Sequence, residues 1–160
     1  GPQGAQGPAG PVGPAGATGP QGPVGPTGPA LNENATIYNA ATQSLTSGTA
    51  VSLPTVLTNN SLTTTTANTI TVPSAGAYQI SYTTSAATGA VSGDNVAVAV
   101  NGVVQTPTQR SLSTTQGVSA TYVLNLSAND AITIVPTVTG ATTLTNTGEP
   151  SATLTVIRVG

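Results

Sequence analysis

Beyond residue 30 the chain alternates between apolar and polar positions with a period of two. In the stretch AYQISYTT, Tyr78, Ile80 and Tyr82 fall on one face, and Gln79, Ser81 and Thr83 on the other. NVAVAV sets Val96, Val98 and Val100 against Ala97 and Ala99, and TYVLNLS groups Tyr122, Leu124 and Leu126. AITIVPTV and ATLTVIRV alternate in the same way. Successive side chains of a strand point to opposite faces, so each segment predicts a strand with one dry and one wet side. Threonine, abundant throughout, suits the wet side of strands. No stretch keeps an apolar stripe at helical spacing.

Turn signals separate these segments. Asn101-Gly102, between apolar alternations, predicts a two-residue hairpin joining a strand that ends near Val100 to one that starts at Val103. Further breaks stand at PSAG (73–76), SGD (92–94), AND (128–130) and TGEP (147–150). Residues 31–160 therefore read as one all-β domain of about eight to ten short strands, a sandwich or jelly roll. A unit of this size buries roughly two-thirds of its surface. Its core must be built from Val, Ile, Leu and Ala, because aromatic residues are only 2% of the chain. So many small apolar side chains on strands predict that part of the surface packs against copies of the same chain.

Residues 1–30 follow a different rule. Glycine opens all ten triplets, at Gly1, Gly4, Gly7, Gly10, Gly13, Gly16, Gly19, Gly22, Gly25 and Gly28. Three polyproline-II strands wind together only where every third residue lacks a side chain, which puts these glycines on the axis of a collagen triple helix. Proline takes the second place in eight triplets and presets the backbone torsion that such a helix needs. The third place carries Gln, Ala, Val or Thr but never Pro. Strict periodicity separates this segment from a flexible Pro/Gly linker. The domain reading is a stalk over 1–30 and a head over 31–160, the stalk about 90 Å long at about 3 Å per residue.

Composition narrows the chemistry. The chain has a net charge of −2 and only 4% charged residues, with no Cys and no His. That removes disulfides, thiolate zinc sites, the cysteine nucleophile and the commonest general base. The only cations are Arg110 and Arg158, too few for the phosphate contacts of a nucleic-acid footprint. No apolar run is long enough to span a bilayer, and residues 1–160 hold no basic-then-apolar leader, though a targeting segment could lie upstream of Gly1. The four acids, Glu33, Asp94, Asp130 and Glu149, are scattered, which argues against paired-carboxylate hydrolysis. No catalytic residue, metal site or cofactor is expected. Asp94 and Asp130 sit in turns, where a carboxylate bonds nearby backbone more often than it holds calcium. Asn34, Asn59 and Asn125 head Asn-X-Ser/Thr triplets, which arise by chance in a chain so rich in Ser and Thr.

A bacterial-type Gly-X-Y segment running into a small, charge-poor β domain resembles the collagen-like glycoproteins of Bacillus spore surfaces, the BclA-type exosporium proteins. TVPSAGAYQISYTTSA resembles their central strand, VAVAVNGVVQTPT their Val-rich hairpin, and SATLTVIRV their closing strand. The resemblance implies an all-β jelly-roll head of the C1q and tumour-necrosis-factor type, a homotrimer, and display outside the cell on the spore exosporium. It implies an anchoring protein bound through an N-terminal segment upstream of Gly1. It marks Thr18 and Thr27, in third places of their triplets, as candidate O-glycosylation sites. The function expected is a structural surface filament, not an enzyme, with an adhesive tip that meets a glycan or host-surface ligand. The alternative is the receptor-binding tip of a phage tail fibre or a C1q-like recognition module. Neither nucleic acid nor membrane is an expected partner.

Overall fold

The computed structural model describes residues 1–28 and 32–160. Residues 1–28 form no strand or helix and are exposed along their whole length. The boundary expected between residues 30 and 31 lies outside the described residues. From residue 34 the chain folds into thirteen strand segments and one short 3-10 turn, Thr106–Thr108. That exceeds the eight to ten strands expected, because several segments are only two or three residues long and too short to show a period.

Two sheets enclose the core. The first has the order β10-β5-β13-β1-β3, with β1 at Asn34–Asn39, β3 at Thr55–Asn60, β5 at Gly76–Thr84, β10 at Val118–Leu126 and β13 at Ala152–Arg158. The second runs β4 (Ile70–Thr71), β11 (Ala131–Thr137), β7 (Asn95–Val100) and β8 (Val103–Val104), with β9 (Arg110–Ser111) also paired to β7. A small third sheet joins β2 (Gln43–Leu45), β12 (Thr142–Leu144) and β6 (Ala87–Thr88). Every pairing given is antiparallel.

Register explains the core. Across the first sheet, Ile37, Leu154, Tyr82 and Ala120 stand in one row, and Ala35, Val156, Ile80 and Tyr122 in the next inward-facing row. They pack with Val96, Val98, Ile132 and Ile134 of the second sheet in one apolar cluster. Tyr82 crosses the sandwich, its hydroxyl donating to the Thr108 carbonyl at 2.6 Å. Ala97 and Ala99, on the opposite face of β7, are buried too. Each is paired with a taller neighbour, Val135 and Val104 respectively.

Candidate functional site

The other face of the first sheet is the most regular surface of the head. Strict alternation places Tyr38, Thr153, Thr83 and Ser119 in one outward row. Thr36, Thr155, Ser81 and Thr121 form the second, and Asn34, Ile157, Gln79 and Val123 the third. None of these positions carries a charge. Their hydroxyls pair with one another: Thr36 with Thr155 at 2.8 Å, Ser81 with Thr121 at 3.0 Å, and Thr83 with Thr153. Such cross-strand pairs add roughly 0.2–1 kcal/mol each and satisfy polar groups within the sheet. A face whose hydroxyls already bond each other and which holds no charge loses little when water is removed from it. An apolar group stands out at its edge: Val123 on β10 is 59% exposed. These rows escape a motif search. Their signal is alternation itself, with Thr and Ser where a solvated strand would carry charges.

The two ends of the sheet differ. At one end Asn34 faces Ile157, so the chain enters the head beside the strand on which it finishes. There the Arg158 guanidinium lies 3.4 Å from the Glu33 carboxylate and donates to the Ala75 carbonyl. The Tyr78 hydroxyl donates to the Ser74 carbonyl at 2.8 Å and lies 3.5 Å from Glu33. Burial, and then the negative charge of Glu33, push the Tyr78 hydroxyl above the ordinary tyrosine value. At the other end Ala152 faces Thr84, remote from the entering chain.

Asn101 and Gly102 have φ of 52° and 81°, and Val100 pairs with Val103 across them. The Asn101 amide group donates to Asp130 at 2.8 Å and its oxygen accepts the Ala131 N–H at 2.9 Å, which ties the turn to the start of β11. Asp130 also accepts the Ser127 N–H. Asp94 is buried and accepts N–H groups from Val91 and Thr139. Among the described residues no three His, Cys, Asp or Glu side chains cluster as metal ligands. Thr18, Thr27 and the repeat glycines are exposed. Asn34 is half-buried in β1, while Asn59 and Asn125 are exposed on β3 and β10. Among the described residues no helix is long and apolar enough to cross a membrane.

Residues 34–160 match the family model of the BclA C-terminal domain. The chain belongs to that family. No curated protein matches it in sequence. Among solved structures, the head is similar to the globular domain of zebrafish complement 1qA, at 15% identity and a TM-score of 0.52, over 80% of this chain and 98% of that one. It is similar to murine APRIL at 13% identity and a TM-score of 0.55, over 80% and 99% of the two chains. Rabbit GITRL matches at 12% identity and a TM-score of 0.53, over 80% and 94%. At such identities the likeness is one of fold, and the BclA-family head is a jelly roll of the C1q and tumour-necrosis-factor type.

Proposed function

We propose that this BclA-family chain is a structural surface protein: three copies form a filament whose collagen-like rod, residues 1–30, carries a trimeric β head, residues 31–160. The observation that carries the reading is the uncharged outward face of the first sheet. Its three uncharged rows, two of them tied by hydroxyl pairs, offer a surface on which copies can pack around a common axis with little desolvation cost. The strict Gly-X-Y repeat supports the rod, since its ten glycines supply the side-chain-free axis of a triple helix. The place of action proposed is the outer surface of a spore, the exosporium, reached through an anchoring protein. Thr18 and Thr27 point outward from such a rod and are the residues proposed to carry O-linked sugars.

Analytical ultracentrifugation of the whole chain at micromolar concentration tests the assembly. A trimer is expected, and Ser81→Arg, which sets a charge in the middle row, should reduce it to monomer while leaving the strand signal in circular dichroism intact. A monomeric wild-type chain, or a Ser81→Arg variant that stays trimeric, would remove this face from the role.

A further inference from the structure

β3 forms one edge of the first sheet, and that edge is bare. Its six residues, Thr55–Asn60, are all exposed and pair with β1 alone. Among the described residues no other backbone hydrogen bond reaches 55–60. Thr36 pairs with Thr58 and Ile37 with Val56, which leaves Leu57 between them with no partner on β1. Leu57 is 65% exposed and Val56 46%. Val56 shares the core side of the sheet with Ile37, so it faces away from the three outward rows. Beside it opens a groove of about 450 Å³, lined by Ile37, Leu53, Pro54, Val56 and the loop 64–68. We infer that this edge is a contact between copies of the chain: β3 of one head lies antiparallel to β3 of a second, and Leu57 of each enters the groove of the other.

An edge strand presents unpaired N–H and C=O groups, and proteins that must stay apart blunt such edges with charge, with proline or with a covering segment. β3 carries no charge, and its proline stands only ahead of the strand, at Pro54. No Asp, Glu, Lys or Arg occurs between Glu33 and Asp94, so strand, groove and loop are all neutral. The opposite edge differs: beside β10 the Arg110 guanidinium lies 5.1 Å from the centre of the Tyr122 ring. A charged partner would find nothing to complement it at β3. A second copy brings the same neutral edge, with no like charge to repel and none to strip of water. The bulge at Leu57 keeps any ladder between two such edges short, but it also sets an apolar side chain out of the row. One edge thus holds both a projecting side chain and a groove. A two-fold contact requires that arrangement, because each residue must meet on its partner the surface that its own copy offers in return. One short strand and one leucine bury less than the roughly 1,200 Å² of a stable interface, so a single contact is weak. Three edges on a trimer act together, and this gain rests on the trimeric reading, whereas the contact itself does not.

Sedimentation of the whole chain from micromolar to millimolar concentration tests the contact. The mass is expected to rise above that of the micromolar species. Leu57→Lys and Leu57→Glu should each weaken this step about tenfold or more, the loss expected when a leucine that the contact buries becomes a charge. Neither should lower the melting temperature, because residue 57 is exposed within its own head. An equimolar mixture of the two variants should restore the heavier species, and added salt should weaken it again, since the facing edges then carry opposite charges. A mass that never rises leaves the edge to a different partner and overturns the pairing of copies. So does a rise that both variants leave intact, or a mixture no heavier than its separate components. Lower melting in both variants overturns it too, since Leu57 would then serve the fold of its own head. The Ser81→Arg variant keeps the trimer question apart, as its rise should run from monomer to dimer. A trimer whose mass never rises defeats only the edge contact, and a wild-type monomer that dimerises through Leu57 defeats only the trimer.

Discussion

Single residues set the sharpest features of this head. Gly102 has φ of 81° with open space around it, so a side chain there meets no neighbour and suffers only from the backbone. Gly102→Val should cost on the order of 1 kcal/mol or more, as a β-branched residue is forced into the left-handed region. The shift in chemical-denaturation midpoint measures it, and an unchanged midpoint would mean that the turn relaxes freely. Tyr82, like Tyr78, gives the head an alkaline pH dependence. Burial, with Tyr122 nearby as the lesser cause, pushes its hydroxyl up to about 12 from the ordinary 10.0. The folded state therefore holds this proton more tightly than the unfolded chain does. The resulting stability is fully present below pH 10 and is lost as pH rises through about 12. The melting temperature should fall across that alkaline window, and Tyr82→Phe should show a smaller fall from a lower starting value. A Tyr82→Phe profile parallel to wild type would assign the alkaline loss to other groups.

Elements differ in how plainly they could be read from the chain. β5, β10 and β13 are seven to nine residues long and their burial alternates at almost every step, so a period of two reveals them. β7 alternates in residue type but is buried on both faces, because the alanines are small enough to lie beneath their neighbours. β3 offers no such clue: all six residues are exposed, and its place comes from pairing with β1 across a register shift near Thr36 and Ile37. β2, β6 and β12 are held by partners distant in the chain rather than by local preference. The 3-10 turn at Thr106–Thr108 is three residues long, and no helical period can be read from so few. The hydroxyl rows were present in the alternation as polar positions, but only register shows that they stand side by side. A groove at the end of the first sheet where β5 finishes was illegible, since residues from β5, β10, β13 and three loops line it. Asp94 shows how such distant elements are fastened. Its carboxylate takes the Val91 and Thr139 N–H groups, and its carbonyl takes that of Leu112, joining three segments ahead of β7, at β9 and after β11. Asp94→Ala leaves two of these N–H groups without their acceptor and should cost about 2 kcal/mol or more. Equilibrium unfolding checks it, and a loss below about 0.5 kcal/mol would show that water replaces the carboxylate.

At the scale of the molecule, the proposed division of labour is that the head gathers three chains and the rod extends them. Ten triplets with no proline in the third place would make a short triple helix, whose chains must be aligned before any contact between them forms. The head suits that task because β1 begins at the same end of the sheet at which β13 finishes, so an assembled trimer holds three entering chains at one end of the head. Chain association is then replaced by a local encounter at effective concentrations around millimolar. An obligate interface of this kind buries roughly 2,000 Å² or more. Residues 31–160 alone should therefore sediment as a trimer at micromolar concentration, and a peptide of residues 1–30 alone should remain monomeric. In the whole chain, Gly16→Ala should lower the melting of the collagen circular-dichroism signal and leave the head's melting unchanged, since triplet GAT lacks proline and lies mid-repeat. Equal rod melting in wild type and variant would remove the triple helix. A monomeric head beside a trimeric whole chain would show that the repeat assembles the protein and that the head follows.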